Sequence, residues 1–207
     1  MLIVSAGMPR SGSTWLFNVI RILLENSNYY SSKFSAGWID DVDLSESNAL
    51  VKIHNFDEKL TTESDLIFYS YRDLRDAIAS AYRKFNRKPS LDYATFLIEQ
   101  DAMWKAKASF VMRYESMLAD PQLIIAEVSK TLNINDVSAD NVIQKVNALS
   151  YNSSGDKNGT YNKSNLYHQG HKTNGAYRSW EDGLDESLAN RIYLEFESWF
   201  ESNQYPQ

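Results

Sequence analysis

The sequence predicts an α/β fold with three layers, in which a central, mostly parallel sheet is flanked by helices. Two observations lead to this prediction. Short apolar segments alternate along the chain with longer segments whose apolar residues recur every three or four positions, as in strands that are each followed by a helix. The first such unit also places a glycine-rich loop between its strand and its helix, at residues 7–14. Because no repeat or linker interrupts the 207 residues, we expect one domain over the whole chain.

The elements of the first half follow from local sequence. Residues 2–4 are Leu-Ile-Val, an apolar run that suits a buried strand, and the segment after the loop keeps helical spacing as far as Leu23. Residues 26–48 are polar with scattered aromatic side chains, and we expect a partly ordered segment over a pocket. Residues 49–54 and 65–71 are predicted strands because both are rich in β-branched or aromatic residues.

The second half continues the alternation. Asp73 is placed to cap a helix over residues 74–85, and Asp120 with Pro121 favours the start of a helix that extends to Leu132. Residues 151–178 are rich in glycine, asparagine and serine, and a loop of this length in a compact domain is usually functional or disordered. The remaining predictions are a strand over residues 110–114 and helices over residues 91–107, 142–149 and 186–200.

The glycine-rich loop carries groups that bind a phosphate. Gly7 and Gly12 let the backbone turn its N–H groups inward, Ser13 and Thr14 add hydroxyl donors, and the positive end of the next helix points to the same place. The spacing fits the Walker A pattern G-x-x-x-x-G-K-[ST], so the expected fold is P-loop-like. Ser13 stands at the lysine position, however, and the cation of the loop is Arg10. The missing lysine weakens the case for an ordinary ATPase or kinase.

Further polar side chains stand near the carboxyl ends of predicted strands, where open α/β sheets bind their ligands. Alternation along residues 49–54 places Lys52 and His54 on one face. Arg72 follows the next strand and Ser80 lies two turns into the helix after it, an arrangement that suits one shared anion.

Composition excludes several classes of protein. A net charge of −6 argues against general nucleic-acid binding, and the absence of cysteine excludes disulfides and thiolate metal sites. The first residues lack a basic segment and their apolar run is interrupted by Pro9 and Arg10, so we expect no signal peptide. No apolar run approaches the length of a membrane span. We therefore expect a cytoplasmic protein without a membrane partner, and no pattern specifies its oligomeric state.

Several short motifs resemble, in order, those of the PAPS-dependent sulfotransferases. Residues 9–15, P-R-S-G-S-T-W, resemble the 5′-phosphosulfate loop of that family, whose pattern is close to P-K-S-G-T-T-W. Residues 52–54, K-I-H, resemble its K-T-H segment, and residues 114–115, Y-E, resemble its Y-E-D segment. Arg72 with Ser80 resembles its 3′-phosphate signature, an arginine at a strand end and a serine eight residues later.

The chain departs from the family pattern at two places. Arg10 replaces the lysine of the loop; arginine stays charged but cannot give up a proton at accessible pH, so its expected role is electrostatic. The C-terminal R-K-G segment of the family is matched only loosely, by residues 169–172, Q-G-H-K.

The resemblance implies transfer of a sulfuryl group from PAPS to a hydroxyl or amine of a small-molecule or saccharide acceptor, without a metal. It also implies that His54 is the general base, and that Lys52 and Arg10 stabilise charge on the bridging oxygen and the departing nucleotide. Within the implied cofactor site, the loop holds the 5′-phosphosulfate, Arg72 and Ser80 hold the 3′-phosphate, and Tyr114 lies near the adenine. The implied cofactor-binding residues are Arg10, Ser11, Gly12, Ser13, Thr14, Trp15, Arg72, Ser80, Tyr114, His171 and Lys172.

Two other functions stay open at this point. A P-loop kinase for nucleotides or small molecules would use the same loop, but it would need a Walker lysine and Mg²⁺ ligands. A non-catalytic nucleotide-binding module would keep the nucleotide site and leave His54 with a structural role.

Overall fold

A computed structural model describes residues 1–27, 34–45, 48–135, 137–152, 157–158, 160–170 and 176–207. Within these ranges the chain forms a parallel sheet of five strands in the order β2-β3-β1-β4-β5. The strands are β1 (Leu2–Gly7), β2 (Ser35–Trp38), β3 (Ala49–Ile53), β4 (Leu66–Tyr71) and β5 (Phe110–Arg113). A short antiparallel pair, β6 (Lys157–Asn158) and β7 (Tyr161–Asn162), lies outside this sheet.

Helices cover both faces of the sheet. They are α1 (Ser13–Asn26), α2 (Glu58–Glu63), α3 (Leu74–Phe85), α4 (Leu91–Lys105), α5 (Tyr114–Ala119), α6 (Pro121–Thr131), α7 (Ala139–Ala148), α8 (Glu186–Glu195) and α9 (Glu197–Ser202). Ile3 packs with side chains of α1, α6 and α7, whereas its neighbour Val4 belongs to a second cluster that includes Trp104 of α4. Because adjacent residues of β1 are buried on opposite faces, the three-layer α/β prediction is confirmed.

The predicted helix starts are confirmed by their caps. The side chain of Asp73 accepts a hydrogen bond from the backbone N–H of Arg75 at 2.9 Å, at the start of α3. The side chain of Asp120 does the same for Leu123 of α6, also at 2.9 Å. Each cap satisfies a backbone N–H group that has no partner inside the helix.

Some boundaries and several elements differ from the sequence prediction. The strand predicted over residues 110–114 ends at Arg113, because Tyr114 already begins α5. The last predicted helix is broken into α8 and α9 at Phe196, whose backbone has φ −121°. The sequence did not predict the elements β2, α2, α5, β6 and β7. No helix in the described part of the chain combines the length and the apolar character needed to cross a membrane.

Candidate active site

The loop between β1 and α1 requires its two glycines. A Cβ atom on Gly7 would lie 2.4 Å from Ser70 Oγ and 2.5 Å from Ser13 Cβ, which is too close for any side chain. Gly12 has φ 77° and stands immediately before the first residue of α1. The backbone therefore turns tightly from the strand into the helix, and the first N–H groups of α1 face the end of the sheet.

Ser11 and Met8 attach this loop to β4. Ser11 Oγ lies 2.7 Å from Ser70 Oγ and donates to the carbonyl oxygen of Ser70 at 3.0 Å, while the N–H of Met8 donates to the same carbonyl at 2.9 Å. Ser11 is fully buried. Its hydroxyl thus attaches the loop to β4, and its predicted place in the cofactor site stays a prediction.

Lys52 and His54 both contact the loop from the end of β3. Lys52 is fully buried and its Nζ donates to Ser13 Oγ at 2.7 Å. Burial lowers the pKa of Lys52 to about 7. His54 Nδ1 lies 2.6 Å from the carbonyl oxygen of Gly7. Burial, followed by the nearby charge of Lys52, lowers the pKa of His54 to about 3.

The contact with Gly7 also determines the tautomer of His54. A carbonyl oxygen only accepts hydrogen bonds, so the ring proton lies on Nδ1 and the lone pair lies on Nε2. The ring stands 5.3 Å from that of Trp38, centroid to centroid. None of the described residues hydrogen-bonds Nε2, and the imidazole lines the cavity described below.

Arg72 and Ser80 lie on the other side of the loop. Arg72 is buried; its Nη2 lies 3.3 Å from the Asp76 carboxylate, and its guanidinium stacks on Tyr114 at 4.2 Å from the ring centroid. The buried Nε of Arg72 has no hydrogen-bond partner among the described residues. Arg10 Nε donates to Ser80 Oγ at 2.9 Å, so the loop cation stands beside this pair.

Arg10, His54 and Arg72 line a cavity of about 710 Å³, whereas Lys52 and Ser80 do not line it. Gly12, Ser13, Thr14 and Trp15 lie at its loop end, together with Tyr114. Its cationic or imidazole side chains are Arg10, His54, Arg72, Arg87 and His168. No Asp or Glu is found among the described residues that line it, although acidic residues outnumber Lys and Arg by 27 to 21 in the chain. The cavity is therefore a cationic site in an acidic protein.

Several lining residues were not identified from the sequence. Trp38 comes from the edge strand β2, Phe85 from the end of α3, Arg87 from the segment after α3 and Tyr93 from the first turn of α4. His168 reaches the cavity from the glycine-rich segment and packs against Phe85, with ring centroids 6.0 Å apart. The polar, aromatic segment expected to cover a pocket does supply Trp38, but no motif in it indicates which aromatic residue does so.

The C-terminal part of the predicted site lies partly outside the described residues. His171 and Lys172, both expected to contribute to the cofactor site, fall in the range 171–175. The segment that follows these residues is attached to α3. The carboxylate of Asp76 accepts hydrogen bonds from the backbone N–H groups of Arg178 and Trp180, at 3.1 and 2.9 Å. In the ranges that the structure describes, no group of three or more His, Asp or Glu residues is arranged to hold a metal ion.

Comparisons with known proteins add information on the fold. No family model matches the sequence, and no curated protein matches it. Solved structures do match: mouse sulfotransferase SULT7A1 complexed with PAP has a TM-score of 0.65 and 14% identity, with 94% of this chain and 82% of that chain covered. Retinol dehydratase in a complex with retinol and PAP has a TM-score of 0.63 and 14% identity, with 96% and 81% covered.

A plant neighbour extends the same likeness. The putative steroid sulphotransferase of Arabidopsis thaliana has a TM-score of 0.53 and 18% identity, with 96% of this chain and 76% of that chain covered. All these identities are low, so the likeness concerns the path of the backbone and not individual side chains. The chain therefore has the fold of the sulfotransferases.

Proposed function

We propose that this protein transfers a sulfuryl group from PAPS to a hydroxyl or amine of a small acceptor molecule. One observation carries the proposal: His54 and Lys52 both contact the phosphate-type loop beside a cavity, in a chain with the fold of sulfotransferases solved with PAP. Retinol dehydratase is described in complexes with retinol and with androsterone, which supports a small hydroxyl-bearing molecule as the acceptor.

The residues around the loop fit a nucleotide that carries phosphate groups on both the 3′ and the 5′ positions of its ribose. The N–H groups at the start of α1, with the hydroxyls of Ser13 and Thr14, would hold the 5′-phosphosulfate. Arg72 has a buried Nε with no partner among the described residues, and Ser80 stands with Arg10 beside it, so these groups would hold the 3′-phosphate. Residues 171–172 would add further contacts, as their position in the sequence suggests. When bound, PAPS supplies the sulfuryl group.

The environment of His54 suits a general base. Its low pKa keeps the imidazole neutral, and its Nε2 carries the lone pair that accepts the proton of the acceptor hydroxyl. A pKa of about 3 by itself describes a weak base. The negative charges of a bound nucleotide would offset the positive charge of Lys52 and raise this pKa toward the range in which a histidine base is effective.

Lys52 and Arg10 would stabilise charge in different places. Lys52 donates to Ser13 from a buried position, so its ammonium is fixed beside the phosphate-binding turn and out of contact with water. Such a preorganised cation stabilises negative charge that develops on a leaving group. Arg10 points to Ser80, which favours a contact with the nucleotide phosphates over proton transfer.

Replacement of His54 tests the proposal directly. We expect His54→Ala to reduce sulfuryl transfer by roughly a hundredfold or more, the usual range for a general base, while the dissociation constant of PAP stays within about threefold of the wild-type value. Transfer would be followed with labelled PAPS and PAP binding by calorimetry. Wild-type transfer rates in His54→Ala would assign the histidine a structural role and refute the mechanism.

A titration separates the nucleotide site from that of a kinase. PAP and ADP would each be titrated into the wild-type protein with and without Mg²⁺. We expect tighter binding of PAP and no dependence on the metal, because fixed cations surround the loop. A preference for ADP with Mg²⁺ would contradict the assignment of Arg72 and Ser80 to a 3′-phosphate.

A further inference from the structure

One arginine of the cavity has no task in the proposed nucleotide site. Arg10 and Arg72 stand at the loop with Ser80 and Tyr114, where a nucleotide would lie. Arg87 lines the same cavity from the segment that follows α3. Its guanidinium stacks on Tyr93, 4.0 Å from the ring centroid. It forms no ion pair with any carboxylate in the described part of the chain.

Arg87 is an exposed residue that stacks on a buried ring. Tyr93 is buried and packs in the same cluster as Met8 of the loop, so the ring holds the guanidinium at the wall of the cavity. Phe85, two residues earlier, lies between Arg10 and His168, with its ring 5.8 Å from Arg10 Cζ and 6.0 Å from the imidazole centroid. Arg87 thus lines the cavity beside Tyr93, in the same cavity that His54 lines.

The aromatic side chains of the cavity, together with an arginine that has no ion pair among the described residues, indicate which kind of ligand would fit there. Phe85, Trp38 and Tyr93 offer flat apolar surfaces to a ring. A guanidinium presents a planar pair of donors that matches a carboxylate or a sulfate. The lining has no described Asp or Glu that would repel such an anion.

We propose that the acceptor is an aromatic hydroxy acid, or a similar flat molecule with an anionic group, and that Arg87 binds this anionic group while the hydroxyl faces His54. This inference rests on the proposed function, since it concerns the second substrate of the same site. It makes Arg87 a determinant of specificity and leaves the transfer step to the residues already named.

The test compares two phenols, one with a carboxylate and one with an uncharged ester in its place. The PAP-loaded wild-type protein would be titrated by calorimetry with 4-hydroxyphenylacetate and with its methyl ester. We expect the carboxylate to bind about tenfold more tightly, the usual gain from a charge-assisted pair with arginine. In Arg87→Gln the affinity for the carboxylate should fall and that for the ester should not change, so that the two affinities come within about twofold of each other. With PAPS, the ratio of kcat/KM values should change in the same way.

Lys88 provides a matched control, because it is also cationic and exposed but does not line the cavity. Lys88→Gln should keep the wild-type preference for the carboxylate, and both variants should bind PAP with wild-type affinity. Equal affinity for the two phenols in the wild-type protein, no binding of either, or a preference that survives in Arg87→Gln would each overturn the inference. Weaker PAP binding in Arg87→Gln would also overturn it, because Arg87 would then belong to the nucleotide site.

The proposed function fails by a different result, the absence of PAP binding to the wild-type protein. In that case the two phenols would be titrated without nucleotide. A preference for the carboxylate that depends on Arg87 would still support an anion site at this wall, and its absence would overturn it.

Discussion

Lys52 Nζ donates a hydrogen bond of 2.7 Å to Ser13 Oγ, and both side chains are buried. The bond joins the end of β3 to the first residue of α1. It places an ammonium group below the turn that would bind a phosphosulfate, at the cost of removing the charge from water. The candidate site thus contains a buried cation, the ammonium of Lys52, that lowers the stability of the folded protein.

We therefore expect Lys52→Met to make the protein more stable and less active. Removal of the buried ammonium should raise the free energy of unfolding at pH 6 by about 2 kcal/mol, as replacement of buried charges by apolar groups often does. Sulfuryl transfer should fall by roughly a hundredfold. Urea unfolding and the transfer assay measure the two effects. Lys59→Met is the control: because Lys59 is exposed, its replacement should change neither the free energy of unfolding nor the transfer rate. A loss of stability in Lys52→Met would contradict this account.

The same lysine should make stability depend on pH. Burial lowers the pKa of Lys52 from 10.5 to about 7, so between these values the unfolded chain holds a proton that the folded chain has lost. The free energy of unfolding should therefore rise with pH across this window. Urea midpoints at pH 7 and pH 9 would be compared for the wild-type protein and Lys52→Met. The rise should be smaller in the variant, and an equal rise in both proteins would assign it to other groups.

Ser80 should matter for the 3′-phosphate alone. Ser80→Ala removes the hydroxyl that accepts from Arg10 Nε at 2.9 Å. We expect PAP to bind about threefold to tenfold more weakly, the usual effect of one hydrogen bond, with no change for AMP. Calorimetry with both nucleotides measures this. Equal weakening of the two would mean that Ser80 acts through the shape of the loop.

Gly7 should tolerate no side chain. A Cβ atom there would meet Ser70 Oγ at 2.4 Å and Ser13 Cβ at 2.5 Å, so Gly7→Ala has to move β4 or α1. We expect a loss of about 3 kcal/mol in unfolding free energy and weaker PAP binding. Gly37→Ala in β2 is the matched control: its nearest neighbour would be Val42 Cγ2 at 3.3 Å, and its loss should stay below about 1 kcal/mol. Similar urea midpoints for the two variants would disprove the clash.

Much of the fold could be predicted because its strands are apolar and β-branched and its helices carry local start signals. Asp73 and Asp120 cap the helices that they were expected to cap. The edge strand β2 could not be predicted, since Ser-Ala-Gly-Trp has little strand preference of its own and is held by its pairing with β3.

In the candidate site, too, some residues could be predicted from the sequence and others could not. Lys52, His54 and Arg72 could be located because the carboxyl ends of parallel strands meet at one edge of a sheet. His168 could not, because its position depends on contacts between distant parts of the chain. One such contact is the hydrogen bond from Tyr161 to Asp41, which joins residues 120 positions apart. Local sequence carries no signal for such a pairing.

The order of the elements along the chain has a consequence for synthesis on the ribosome. All five strands of the sheet lie within the first 113 residues, but α6 and α7, which cover one of its faces, come later. A nascent chain can thus pair every strand while Ile3 and Phe68 have α1 beside them but still lack α6 and α7. Until residues 121–148 have been synthesised, this face of the sheet is therefore open to aggregation.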